Sequence, residues 1–162
     1  MTLKITAGIV ATGLALLAPM GAFADGAKIA ISDAYARSSN PKSGAAYMIL
    51  KNEGETACTL TSISTTAADM AELHTMRDEG GVMKMMPADP VVLAPGASHS
   101  LTRGADHVML MGLHEPLQDG AHLPMTLNFG DCGTVNTEVP VDNQRKPDAP
   151  SGAGHQTNHS SH

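Results

Sequence analysis

The chain has 162 residues, a length that fits one domain plus appendages, and a formal net charge of −6. It contains no basic run, so it offers nothing to a phosphate backbone, and nucleic acid is excluded as a partner. With two Phe, two Tyr and no Trp, its core has to be built from Val, Ile, Leu, Ala and Met.

Residues 1–24 have the form of a secretory signal peptide. Lys4 gives a positive start, Ile5 to Leu17 an apolar run, and Ala22-Phe23-Ala24 a small-x-small cleavage site. The run is shorter than the roughly 20 apolar residues a spanning helix needs. The expected mature chain is therefore exported and soluble, with no membrane span. Losing Lys4 leaves nine Lys and Arg against sixteen Asp and Glu, a balance that suits a cation or a positively charged protein partner. In an oxidising compartment Cys58 and Cys132 are a candidate disulfide; the alternative is two separate buried thiols.

From Lys28 onward the pattern reads as strand after strand. Ala27 to Arg37 is followed by a loop at Ser38 to Gly44, a strand at Ala45 to Asn52 and a turn at Glu53-Gly54-Glu55. Ala57 to Thr65 alternates and is rich in Thr, which favours a strand. The segment Ala67 to Met70 has room for a short helical turn. Met70 to Met76 and Val82 to Met86 flank Asp78-Glu-Gly-Gly81, a hairpin turn signal. Further strands are expected at Val91 to Leu93, Ser98 to Thr102, His107 to Met111 (ended by Gly112), His122 to Phe129 and Thr134 to Val141. Turn signals every 8 to 12 residues without a 3.6-residue period indicate an all-β antiparallel sandwich or barrel over residues 25–143. Residues 144–162 are polar, carry Pro147 and Pro150, and are expected to be a disordered tail ending with His155, His159 and His162.

Three segments carry the chemistry: His74-Thr-Met76, Met83-Lys-Met85 and His107-Val-Met109-Leu-Met111. Each places donors at i and i+2, which on a strand share a face. Met is a common core filler, and Met48, Met70 and Met125 are read that way. A core would not select the two His that recur in the same pattern. Thioether and imidazole donors suit soft Cu(I), whereas Zn, Mg and Ca have little use for thioethers. Neutral, weak donors also fit an ion that is to be handed on. His99, His114 and His122 are read as surface histidines.

The intervals His74-x10-Met85-x21-His107-x-Met109 resemble the signature of the periplasmic copper chaperones of the PCuAC type. The neighbouring segments Gly44-Ala-Ala-Tyr47, Glu72-Leu-His74-Thr-Met76, Gly81-Val-Met-Lys-Met85 and Val139-Pro-Val141 extend the resemblance over Ala27 to Val141. The resemblance implies a cupredoxin-like Greek-key β-sandwich and a periplasmic location. It implies Cu(I) held by His74, Met85, His107 and Met109; Met76, Met83 and Met111 share faces with these and are alternates or an apolar rim. It also implies delivery to the copper subunit of cytochrome c oxidase alongside thiol-bearing assembly proteins. A copper buffer without a delivery partner would use the same ligands. His155, His159 and His162 could take Cu(II), which prefers nitrogen donors. An electron carrier of the blue-copper kind would need a Cys ligand beside two His, and neither Cys adjoins a ligand segment. No catalytic arrangement stands out, and no enzymatic activity is expected.

Overall fold

The computed structural model describes residues 28–146. Eleven strands form two packed layers: β1 (Ile29–Asn40), β2 (Ser43–Asn52), β3 (Cys58–Leu60), β4 (Ser62–Ser64), β5 (Ala68–Glu79), β6 (Val82–Pro87), β7 (Val91–Leu93), β8 (Ser98–Leu101), β9 (His107–Leu113), β10 (His122–Asn128) and β11 (Thr134–Pro140). The larger sheet runs β1-β2-β9-β5-β6, with β8 on the second half of β2; the smaller units are β11-β10-β4 and β3-β7. Every ladder is antiparallel. Strands distant in sequence lie side by side, as β2 beside β9 and β9 beside β5. This is the crossed connectivity of a cupredoxin-like Greek-key sandwich. Among the described residues, no helix is long and apolar enough to cross a membrane.

The core forms because alternate residues of each layer point inward. Ala46, Met48 and Leu50 of β2, Val108 and Leu110 of β9, and Leu123, Met125 and Leu127 of β10 join one buried cluster with Phe129. Met48 and Met125 thus pack in the core, whereas Met70 is exposed on the sheet's other face. The buried Asn52 is satisfied: its Nδ2 donates to Thr56 O and Leu93 O, and its Oδ1 accepts from Gly54 N–H. Cys58 and Cys132 are joined in a disulfide, with Cα atoms 5.8 Å apart, tying β3 to the loop between β10 and β11. In the chain-entropy model a closure of that span contributes roughly 4 kcal/mol.

Several segments differ from the sequence expectations for identifiable reasons. Ser38 to Gly44 is not a loop: β1 and β2 meet at the two residues Pro41-Lys42, where Asn40 Oδ1 accepts from Lys42 N–H. The alternating stretch 57–65 is two strands in different sheets, split at Thr61, whose N–H donates instead to Asn128 O. No helical turn occupies Ala67 to Met70, because β5 starts at Ala68. At the end of the described residues, Asn143 and Gln144 are tied to Asp119. Asp119 Oδ1 accepts from Asn143 N–H, and Asp119 Oδ2 accepts from Gln144 Nε2. These hydrogen bonds, led by the Asn143 backbone, lower the pKa of the Asp119 carboxyl. The proposed signal peptide and the tail histidines His155, His159 and His162 lie outside the described residues.

Two local irregularities decide which side chains face out of the larger sheet. In β1 the register shifts between Ser32 and Tyr35, with Asp33 at φ 50°. Ile29 and Ile31 pack on the core before the shift and Ala34 and Ala36 after it, so Tyr35 turns outward. In β9 the strand continues through Gly112, at φ 67°, to buried Leu113. Val108 and Leu110 face the core before Gly112 and Leu113 after it, leaving His107, Met109 and Met111 on the outer face. A Cβ at Gly112 would lie 2.3 Å from Asp69 Oδ2. A Gly112→Ala substitution is expected to destabilise the fold by about 1–3 kcal/mol through the left-handed backbone alone, and to displace the Asp69 carboxylate from His114. Chemical denaturation of the variant measures the loss; an unchanged midpoint would contradict it.

Candidate metal centre

The outer face of the larger sheet collects the donor residues because of strand register. His74 of β5 and His107 of β9 are direct cross-strand partners, so their rings project from the same face. Their ring centroids are 6.4 Å apart. On the other side of β5, Met76 is the direct partner of Met85, and His74 that of Pro87. Met85 is therefore diagonal to His74, about 7–8 Å in Cα terms, which a long side chain spans. Met109 is paired with Glu72 and is likewise diagonal to His74. The register makes His74 the hub, with His107, Met76, Met85 and Met109 as its nearest donors. Met83, opposite Asp78, and Met111, opposite Met70, each lie one rung farther out. Met76 thus stands as close in register as Met85.

The β5–β6 hairpin holds one edge of this array. Gly80 and Gly81 occupy positive φ, as a two-residue hairpin requires, and Asp78 Oδ1 accepts from Gly81 N–H. Burial then grades across the face. His107 is 4% exposed and His74 is half-buried, whereas Met85 and Met83 are 49% and 53% exposed. Thioethers left in water beside sheltered imidazoles form an apolar patch that packing does not explain.

The imidazoles are held differently. His107 Nδ1–H donates to Ala105 O at 2.8 Å, which leaves the Nε2 lone pair free. His74 has Nε2 3.4 Å from Glu72 Oε2, and its buried Nδ1 has no hydrogen-bond partner. An orphaned, buried ring nitrogen next to a second imidazole is what a site for a cation leaves behind. A ring bound at about 2.0 Å puts its centroid roughly 3 Å from the ion, so two rings with centroids 6.4 Å apart share one ion only after drawing somewhat closer together. Both cysteines are in the disulfide, so no thiolate can serve as a ligand. Among the described residues, no three His, Cys, Asp or Glu side chains gather as a metal-binding group. A metal here depends on thioether sulfur, which selects a soft ion.

A row of rings backs the site. Tyr47 of β2 lies 6.1 Å from the His107 ring, and Tyr35 of β1 lies 4.9 Å from Tyr47. The Arg145 guanidinium stacks 4.2 Å over Tyr35 and pairs with Asp33. Tyr35, Tyr47 and Arg145 were not marked by any donor pattern in the sequence; the spacing of Tyr47 from Gly44 was their only signal. The other histidines lie apart. His99 pairs with Asp106 at 3.0 Å, and His114 pairs with Asp69 at 3.0 Å. His114 and His122 border a separate groove of about 530 Å³.

The fold defines the class: a cupredoxin-like β-sandwich, similar to that of PCuAC domains. The apo PCuAC domain from PmoF1 superposes with a TM-score of 0.61 at 24% identity, over 74% of this chain and 97% of that one. The Cu(I) form of DR1885 from Deinococcus radiodurans is 30% identical, with a TM-score of 0.52 over 70% of this chain and 79% of that one. The model of the LpqE-like lipoprotein family matches residues 29–141, and the chain belongs to that family. A relative from Leifsonia xyli subsp. xyli (strain CTCB07), named "Putative lipoprotein Lxx21020", is 31% identical over 134 residues, 80% of this chain and 81% of its own length.

Burial raises the phenol pKa of Tyr47, the Tyr35 phenol adds to this, and the Arg37 guanidinium opposes it. The folded protein therefore holds the Tyr47 proton at a pH where the unfolded chain, near 10, releases it. The resulting stability is fully present below the unfolded value and is lost as pH rises through the folded one. Absorbance titration at the phenolate band is expected to show Tyr47 ionising above the ordinary tyrosine range. Loss of that late step in Tyr47→Phe assigns it, and its persistence would refute the assignment.

Proposed function

We propose that this protein is an extracytoplasmic Cu(I) carrier. The observation that carries the reading is the direct pairing of His74 with His107, with one buried ring nitrogen left unpartnered and the thioethers of Met85 and Met109 diagonal to His74. His74, Met85, His107 and Met109 hold the ion in this reading, and Met76 stands ready to replace Met85. Met83 and Met111 extend the sulfur donors outward, toward an incoming partner. The Cu(I)-bound state of the Deinococcus radiodurans relative supports the choice of ion. The lipoprotein relative and the form of residues 1–24 support a location outside the cytoplasm.

The chemistry follows from the donors. Imidazole and thioether are neutral, so bound Cu(I) keeps its charge and is held without the strength of thiolate. Met85 lies half in solvent, so a partner's sulfur can replace it while the sheltered imidazoles still hold the ion. Exchange by successive replacement avoids releasing free copper. No step makes or breaks a covalent bond in a substrate, which makes the protein a carrier and not an enzyme. The recipient proposed is the copper subunit of cytochrome c oxidase, with thiol-bearing assembly proteins beside it.

Competition with a chromophoric Cu(I) chelator should find one tight site, with mixed sulfur and nitrogen neighbours by X-ray absorption. In a Met109→Leu, His107→Ala variant the affinity is expected to fall by more than the roughly 10–100-fold typical of losing an outer partner; unchanged affinity would sink the ligand assignment. A deletion strain is expected to lose cytochrome oxidase activity and to regain it with added copper. Copper sensitivity with normal oxidase would instead mark the protein as a buffer.

A further inference from the structure

The two imidazoles of the site present opposite nitrogens. His107 has its Nδ1–H engaged by the Ala105 carbonyl, so Nε2 is its open atom. His74 has Nε2 facing the Glu72 carboxylate and Nδ1 buried without a partner. Leaving a buried polar atom unpaired costs free energy, so the arrangement calls for something to bind Nδ1. Glu72 reaches His74 through strand geometry. It stands two residues before His74, on the same face, and is the direct cross-strand partner of Met109. Its carboxylate therefore borders the donor array, beside His74.

We infer that Glu72 is a positioning residue for the metal centre. Its carboxylate accepts from His74 Nε2–H and holds the neutral ring in the tautomer whose Nδ1 lone pair is open. The ion is then bound by Nδ1 of His74 and Nε2 of His107. A carboxylate that accepts from the far nitrogen of a ligating imidazole fixes ring orientation and raises its basicity. Glu72 acts through His74 and does not ligate, because a hard carboxylate is a poor donor to a soft ion. Its charge also offsets the positive charge that a cation with neutral donors brings to this face. The inference rests on the copper reading but can be tested separately, because the tautomer exists without metal.

The experiment uses long-range 1H–15N spectra of the histidine rings, recorded above the ordinary histidine pH range. In the metal-free protein, His74 is expected as the Nε2–H form. In Glu72→Ala it is expected as a mixture of both forms, with His107 unchanged. On loading with Cu(I), the 15N coordination shift should fall on Nδ1 of His74 and Nε2 of His107. Cu(I) affinity of Glu72→Ala should drop about 10–100-fold, with partial recovery in Glu72→Gln, whose carbonyl can still accept. An Nδ1–H form of His74 in the native protein, an unchanged tautomer in Glu72→Ala, or a coordination shift on His74 Nε2 would each overturn the role of Glu72. Loss of every coordination shift in the native protein would overturn the copper reading instead, and the metal-free tautomers would still decide for or against Glu72.

Discussion

The pairing of β5 with β9 is the contact on which everything else depends. It sets His74 opposite His107, and antiparallel partners share a face. A slip of one residue would carry every donor on β5 to the core side, while Leu73 and Ala71 would come out. The core prevents that slip, because Ala71, Leu73, Val108 and Leu110 all pack inward from this same ladder. The apolar residues therefore hold the site in register, and they do so without touching an ion. Burial on one face of a sheet fixes chemistry on the other.

The centre differs from a buried cofactor pocket in its exposure. It sits on the outside of a sheet, with its imidazoles sheltered and its thioethers open. A closed site would hold copper permanently. In the proposed carrier, open, weak and neutral donors let a partner approach and take the ion. The disulfide commits both cysteines to the frame, so the face offers imidazole and thioether but no thiol. The aromatic row from Arg145 through Tyr35 and Tyr47 then closes off the back of His107, where a loose ring would cost affinity.

Much of this was legible in the residues. The i, i+2 spacing of His74-Thr-Met76 and His107-Val-Met109 showed shared faces, and Asp78-Glu-Gly-Gly81 showed the hairpin. Other features could not be read, because they depend on departures from regular alternation. The shift at Asp33 and the positive φ at Gly112 each reverse the facing of a strand midway. A period of two, read straight through, would send Tyr35 or Leu113 to the wrong side. The stretch from Cys58 to Ser64 shows the same limit: one alternating run in sequence serves two sheets, because its first half pairs with β7 and, from Thr61 onward, it bonds to β10.

The donor types, their grouping in pairs and the all-β class are legible in the residues alone, since these arise from side-chain chemistry and from a strand period of two. The tertiary structure decided the ranking among the donors. It placed Met76 against Met85, set Met83 and Met111 a rung away, and put Glu72 beside His74. It also brought Tyr47 from β2 to the His107 ring. Those relations join strands distant in the chain, and cross-strand register is set by which apolar faces bury together, a property of the assembled sheet and not of any one segment.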